Sequence, residues 1–590
     1  MNKKLRDQVF PEPEIPDFRD VLNVGSQMGQ TWGIGHSEFL AQHQCASESE
    51  YKQRMAAQGT VMKHAHMGFR DKAKSKRAFA EIYDKTQIKG VNVDRYGLCL
   101  DWSMGFPQSM RNQQLKGTGL ILNSVEEFVE VANSAPVASH FGDFVLGFPG
   151  ALENTQFALS AGSTVIGNLG QYFTFRLPGW IDDVETTRST LTAIALMAAQ
   201  PADVLVHSNL DDGFAAVFND LSCALGAAMI EKYLIEDLMG GNVTHCFGHH
   251  YSNPLSRFAF QKALSRISNH PGSMIYGNTV SYRGNDAENY ASLAGYLLVD
   301  IVGQLTTPSG HAINPVPVTE NQRIPDIAEI IDAQLAGSKL IEAGHHLSPF
   351  FDMEEVDNQV DVLLEGGSTF FKRLLSGFEE GGIDTRNPFE MFLAIRRIGG
   401  KKLERWYGPG EWNEAEGRRN SLVISDVVTE LDKLVGETLE MLRDYNSDQL
   451  KDCGVKLVIA TTDVHEHSKL LLEGVFRGIG VTLIDGGVST DPDALARIAE
   501  DNLADAIALT TYNGVALTYY GQLRDELTEK GIYIPILMGG QLNEIPDESD
   551  SSLPVDVETV LAEKGAIVCR KIHDAMAPLI EIAKQKKMSL

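Results

Sequence analysis

The stretch VKLVIATTDVHEHSKLLLEGVFRGIG, residues 455–480, decides how the C-terminal part of the chain reads. Its opening residues are apolar but for one Lys, the composition of a strand buried on both faces. TTDVHEHS breaks that run with small and polar residues. KLLLEGVFRGIG then sets apolar side chains at helical spacing before a glycine stop. The unit recurs downstream. VTLIDGG (481–487), DAIALTTY (505–512) and IYIPILMGG (532–540) read as strands. PDALARIAEDNLA (492–504) and YYGQLRDELTEKG (519–531) read as helices, with a last one ending near IEIAKQKK (580–587). This alternation predicts a doubly wound, flavodoxin-like (Rossmann-like) parallel sheet over 454–590. Ligands of such sheets lie outside the C-terminal strand ends.

The same alternation fills residues 61–345. GTVMKHAH, IKGVNVDRYGL, PVASHFG, STVIGNLG, DVLVHSNL, VTHCFGHHY, SMIYGNTVSY and DIVGQLTT read as strands, separated by amphipathic runs such as TTRSTLTAIALMAAQ. Eight repeats predict an α/β catalytic domain, a (β/α)8 TIM barrel with its chemistry at the C-terminal strand ends. Residues 1–60 are polar and punctuated by Gly and Pro, which predicts a wrapping segment. Residues 346–453 read as a mostly helical extension and linker, broken at GGIDTRNP and YGPGEW.

Composition excludes several classes. The chain has 590 residues, 43% hydrophobic and 22% charged, an ordinary globular balance. Lys and Arg number 51 against 79 Asp and Glu, giving a formal charge of −28. So acidic a chain is unsuited to unspecific binding of nucleic acid or an anionic membrane. No run of about 18 apolar residues predicts a membrane span. The start, MNKKLRDQVFPEPEIPDF, lacks the apolar core of a secretory signal. Six scattered cysteines without a CxxC argue against disulfides and thiolate zinc. These features predict a cytoplasmic protein acting on a small molecule, with a symmetric dimer as the default assembly.

The chemistry-bearing residues cluster at predicted strand ends. TTDVHEHSK carries Asp463, His465, His467 and Ser468, LTTYNG carries Thr510, Thr511, Tyr512 and Gly514, and ILMGG ends in Gly539 and Gly540. A neutral imidazole is a good metal ligand, and an Asp two residues earlier can hold its second nitrogen. Paired glycines leave room against a sheet. The residues alone leave open a flavodoxin-like domain without any cofactor. In order and separation, however, they resemble the cobalamin-binding domain of B12-dependent mutases and corrinoid proteins. That family's pattern is Asp-x-His-x-x-Gly, then Ser-x-Leu, then Gly-Gly. The resemblance implies His465 as the lower axial ligand of the cobalt, with Asp463 behind it. It implies Ser468, Thr510, Tyr512, Gly514, Gly539 and Gly540 around the nucleotide tail. Ser468 stands where the family usually has Gly, Thr510 replaces Ser and Tyr512 replaces Leu. His467 reads as a solvent-side residue at a helix start, or as a competing ligand.

GTVMKHAHMGF (59–69), PVASHFG (136–142), AGSTVIGNLGQYF (161–173) and LTTPSGHAINPVPVTEN (305–321) resemble the catalytic subunit of glutamate mutase (methylaspartate mutase). Joining such a barrel to a B12 domain in one chain is similar to 2-methyleneglutarate mutase. The resemblance implies an isomerase, an adenosylcobalamin-dependent carbon-skeleton mutase using radical chemistry. The family's substrate arginines fall at His66, Leu98 and Ser139 beside His140, so none is retained. Its lysines are absent near Thr306 and Thr319. Gly68 is retained, and Glu320 matches a Glu near the adenosyl group. The implied substrate is thus small and polar or acidic, contacted by His66, His140 and His311, with Glu320 on the ribose. Arg95, Arg111 and Arg176 are candidate replacement cations. Asn168, Gln171, Tyr172 and Asn314 read as pocket groups or as loop structure. Cys246 with His245, His249 and His250 reads as pocket lining or a metal site. His207, Asn209, Asp211 and Asp212 read as acid-base groups or a helix cap. Two alternatives stand. A methylcobalamin-dependent methyltransferase predicts a helical cap, for which 427–445 supplies one helix. A non-enzymatic B12-binding sensor predicts a signalling module.

Overall fold

The computed structural model describes residues 3–114, 117, 119–249, 251, 253–320, 323–414, 417–451, 453–462, 466–511, 514–544 and 555–589. The chain is mixed α/β with parallel sheets. It forms two compact units. The first holds 1–114, 119–174 and 182–427; the second holds 428–590 with the short segments 115–118 and 175–181. The stretch read as one helical extension, 346–453, is thus divided at 427/428.

In the first unit eight short strands follow in sequence order. They are β1 (His64–Met67), β2 (Arg95–Leu98), β3 (Ala138–Phe141), β4 (Val165–Ile166), β5 (Leu205–Asn209), β6 (Asn242–Cys246), β7 (Met274–Ile275) and β8 (Ala312–Ile313). They pair in parallel as β1-β2-β3, β4-β5-β6 and β7-β8. Isolated parallel bridges join Lys63 to Ile313 and Phe247 to Ile275. Nearly every strand residue is buried, which explains their apolar runs.

One strand lies elsewhere than predicted. DIVGQLTT ends a 21-residue helix, Asp286–Thr306, rather than forming the eighth strand. A capping box between Asn285 and Glu288 starts that helix, and the spacing of Leu293, Tyr296, Leu297 and Ile301 carries it through the β-branched run. The strand begins only after Gly310, whose φ of 79° reverses the chain.

Three further helices of this unit are α1 (Glu48–Ala57), α2 (Leu221–Lys232) and α3 (Met353–Glu380). Inside the segment read as a wrap, α1 buries Glu48, Ser49, Tyr51 and Lys52. α3 buries Val356, Val360, Leu363, Phe370, Leu374 and Phe378 along one stripe. It crosses α2 where Gly226 faces Gly367; a Cβ on Gly226 would come within 2.8 Å of the Gly367 carbonyl.

In the second unit β9 (Lys456–Thr461), β10 (Thr482–Val488), β11 (Ala506–Thr511), β12 (Ile536–Gly540) and β13 (Ile567–Val568) form a parallel sheet in the order β10-β9-β11-β12-β13. This is the 2-1-3-4-5 order of a doubly wound sheet. Its two faces carry separate cores, one around Val458, Ile507, Leu523 and Met538, the other around Leu457, Ile459, Phe476 and Leu579. One long helix, α4 (Asp426–Leu442), precedes the sheet. No described helix is long and apolar enough to cross a membrane.

Candidate functional site

The C-terminal ends of the first unit's strands gather a set of acids, a thiol and an imidazole. His66 is the third residue of β1, opposite Gly97 of β2. A Cβ at 97 would lie 2.7 Å from both His64 Nε2 and His66 Nδ1, so only glycine leaves the two rings their places. His66 Nε2 sits 3.2 Å from Sγ of Cys99, one residue past β2. The Cys99 thiol points to Asp143 Oδ2 at 3.9 Å, two residues past β3. Gln171 Nε2 donates to Asp143 Oδ1 at 3.1 Å, while its Oε1 accepts the Phe144 N–H at 2.9 Å. Asn168 Nδ2 and Asn209 Nδ2 both donate to Asp212 Oδ2, at 2.7 and 3.1 Å. Asp211 accepts the His249 N–H at 2.9 Å. Tyr276, one residue past β7, lies 4.2 Å ring to ring from His249.

The electrostatics of this end are unusual. Desolvation raises the carboxyls of Asp143, Asp212 and Glu320, and for Asp212 the neighbouring Asp143 and Asp211 add to it. Glu320 stays open to solvent even so. The Cys99 thiol is pushed far up, by desolvation first and then by Asp143, Glu320 and Asp212. His66 is pushed down to about 4 by desolvation, helped by Arg95 and His249. The set is therefore a neutral imidazole, a protonated thiol and carboxyls that hold protons unusually well. The raised carboxyls can exchange protons near neutrality, and the donor atoms of His66, Cys99 and Asp143 converge closely enough to share a metal.

The other predicted residues scatter. Arg95 is the first residue of β2, at the opposite end; its Nε lies 2.9 Å from Glu48 Oε1. Lys52 lies 3.5 Å from the same carboxylate oxygen and also donates to the Gly272 and Ser273 carbonyls. His311 precedes β8 at that end too, with Nδ1 2.7 Å from Ser309 Oγ. His140 and His207 stack edge to face in the interior at 4.4 Å, tied to the Val165 carbonyl and to Ser273. Of the four residues predicted to act in the reaction, only His66 and Glu320 stand with the acids; His140, at the register of His66, meets the Val165 carbonyl and His207 instead, and His311 lies before its strand. A Cβ on Gly68 would meet Ile324 at 3.6 Å, an ordinary contact. Asn314 follows β8 and keeps Nδ2 buried without a partner among the described residues, and Thr319 is buried beside Glu329. Tyr172 is core: its hydroxyl meets Thr187 Oγ1 at 2.7 Å and Arg396 covers its ring. Arg111 braces the Phe106 carbonyl and Asn154. Thr306 bonds back into its own helix. His245 faces Glu231 at 3.0 Å, Cys246 is buried, and His250 lies outside the described residues. Arg176 belongs to the second unit. Sequence reading missed Cys99, Asp143 and Tyr276. Each stands one or two residues past a strand, a position that would have flagged them.

In the second unit, Asp463, His465 and Tyr512 lie outside the described residues, as does the His467 side chain. Ser468 is exposed near the start of the helix Glu466–Gly478. Thr510 and Thr511 end β11 at 5% and 3% exposure, and Oγ1 of each is buried without a hydrogen-bond partner among the described residues. Gly514 and Gly540 take φ of 74° and 91°. Lys469 is buried between Glu473 and Asp485, at 2.6 and 2.8 Å.

These features define an α/β chain of parallel sheets with one candidate site at the strand ends of each unit. No family model matches the chain, and no curated protein matches it. Among solved structures it is similar to a novel cobalamin-binding protein from Desulfitobacterium hafniense, at 18% identity with a TM-score of 0.18. That likeness covers 22% of this chain and 59% of the other, and is too slight to bear on fold or function.

Proposed function

We propose that the eight strands of the first unit close into one (β/α)8 barrel and that the chain is a cobalamin-dependent enzyme. The barrel reading is supported by parallel pairing in sequence order. The Lys63–Ile313 bridge links the first and last strands, and Ser163 Oγ donates to the Ser139 carbonyl at 2.8 Å between β3 and β4. The observation that carries the cofactor reading is the pair of buried hydroxyls on Thr510 and Thr511, which have no partner among the described residues. A buried hydroxyl without a partner costs free energy that a polar ligand recovers. Those hydroxyls end β11, next to the strand that Asp463 and His465 follow, and beside Gly540, which lets β12 pack directly on the Thr511 backbone. His465 would hold the cobalt from below, with Asp463 fixing its tautomer. When bound, adenosylcobalamin supplies a homolysable cobalt–carbon bond.

Carbon-skeleton rearrangement is the first reading of the reaction, making the chain an isomerase. Glu320, His66, Asn168 and Gln171 would orient a small polar substrate among carboxyls. The crowd of acids at this end favours a neutral or amine-bearing substrate over a dicarboxylate. Methyl transfer from methylcobalamin is the second reading. Cys99 favours it, because an open thiol is a hydrogen donor that radical chemistry must exclude.

The test is an absorption spectrum after incubation with adenosylcobalamin and desalting, for the full chain and for His465→Ala. Retained cobalamin with a histidine-ligated spectrum that changes in the variant supports the cofactor reading. No cobalamin retained by either protein removes it.

A further inference from the structure

The geometry points to a divalent metal site in the first unit, built by His66, Cys99 and Asp143 and best suited to zinc. The three donors come from the ends of three adjacent strands, β1, β2 and β3, so the backbone ladder fixes their separation. One donor atom from each lies within 4.8 Å of the others. The two measured separations are 3.2 Å from His66 Nε2 to Cys99 Sγ and 3.9 Å from Sγ to Asp143 Oδ2. Tetrahedral zinc, with Zn–S near 2.3 Å and Zn–N or Zn–O near 2.1 Å, sets neighbouring ligand atoms roughly 3.3–3.6 Å apart. The observed distances bracket that range, and small side-chain rotations would complete the site.

The donor set also chooses among metals. Imidazole and thiolate favour zinc over magnesium or calcium, which take oxygen ligands. Asp143 is already oriented: Gln171 holds its Oδ1, leaving Oδ2 toward Cys99. This is the outer hydrogen bond that metal-ligating carboxylates usually have. Nearby Asp212 and Glu320 supply negative charge that would balance a divalent ion. Three protein ligands leave a fourth position for water or a small oxygen or sulfur donor, the pattern of catalytic rather than structural zinc. Scattered cysteines predicted no thiolate zinc site, because the pattern sought there was local in sequence. These ligands are 33 and 44 residues apart.

The inference stands apart from the cofactor reading, so its test uses protein free of cobalamin. The full chain is stripped with a chelator, reloaded with zinc or cobalt(II), and its metal content measured after desalting. Wild type should keep about one equivalent, and its cobalt(II) form should show a thiolate-to-cobalt band in the near ultraviolet. Cys99→Ser should lose the band while Cys45→Ser keeps it. Cys99→Ser and Asp143→Asn should each weaken zinc by more than the roughly 10–100-fold that losing an outer partner costs. Gln171→Leu should fall within that range. Wild type retaining no more zinc than Cys99→Ser, or a cobalt band that survives in Cys99→Ser, would overturn the assignment. Wild type that keeps no zinc and shows no thiolate-to-cobalt band would overturn it even if a variant fails to fold.

Discussion

The two ends of the first unit's strands are built on opposite principles. At the N-terminal ends three buried charges of opposite sign are grouped. Arg95 and Lys52 share Glu48, and Lys52 also caps the Gly272 and Ser273 carbonyls. Asp94 accepts the Lys63 N–H and the Tyr51 hydroxyl. At the C-terminal ends the buried cation Arg257 is taken up by Asp300 and by the Gly248 and Tyr276 carbonyls. Asp143, Asp212 and Glu320 are raised by desolvation, and the donors to Asp143 and Asp212 are the amides of Gln171, Asn168 and Asn209 rather than cations. The first end spends its polar residues on holding the fold. The second keeps polar groups poised at a cost, as functional sites do.

Removing one acid from each end puts this contrast to the test. Glu48→Gln leaves Arg95 and Lys52 as uncompensated buried cations and should cost about 3–5 kcal/mol in denaturant unfolding. Asp212→Asn keeps an oxygen for Asn168 and Asn209 but removes a charge that burial opposes. It should be neutral or stabilising near neutral pH. Equal losses in both variants would make the acidic end as structural as the other.

The pH dependence separates the two ends further. The Asp212 carboxyl binds its proton more tightly folded than unfolded, because burial and the neighbouring Asp143 and Asp211 disfavour its charge. Its contribution is therefore neutral at low pH and becomes destabilising as pH rises above the ordinary carboxylate range. Asp212→Asn should gain on wild type by about 1 kcal/mol near pH 8, with the gap closing toward about pH 4. A gap that is flat across this range would show that Asp212 titrates normally.

How much of this was legible in the sequence depends on whether the signal was local. Strand–helix alternation is local, and it yielded the eight segments and the doubly wound sheet. It misplaced the eighth strand, because DIVGQLTT has strand composition but sits inside a helix whose register Asn285 and Glu288 set upstream. Placement along a strand was harder. Arg95 and His311 carry plausible chemistry, but they precede or open their strands and so fall at the structural end. Tyr172 lies one residue beyond Gln171, and the helical turn there points it into the core while Gln171 reaches Asp143. Cys99 and Asp143 went unseen because each is a lone residue whose meaning comes from its neighbour on the next strand.

The second unit offers a smaller effect of the opposite kind. Thr510 and Thr511 bury hydroxyls that nothing among the described residues satisfies. Replacing either with Val removes an orphaned polar atom at nearly constant volume. Without cobalamin each variant should melt at or above wild type, by up to about 1 kcal/mol. With cobalamin each should retain less of it after desalting. A variant clearly less stable than wild type would mean that the hydroxyl already has a partner.

A last difference between the two ends is kinetic and concerns Cys99 alone. Only the thiolate alkylates, so a thiol pushed up by burial and by three acids reacts slowly at neutral pH. Removing an acid should lower that thiol and raise its rate, since a shift of one unit changes the thiolate fraction about tenfold. In chelator-treated protein, Asp143→Asn and Glu320→Gln should each speed iodoacetamide labelling of Cys99 by roughly 3–10-fold, read by mass spectrometry of its peptide. Glu48→Gln, if its fold survives the ion-pair loss, should leave that rate unchanged, because its charge belongs to the far end of the strands. Labelling that ignores Asp143 and Glu320 would separate Cys99 from the acids. Labelling that follows Glu48 as strongly would mean that the two ends share one field and are not the independent sites their pairing pattern implies.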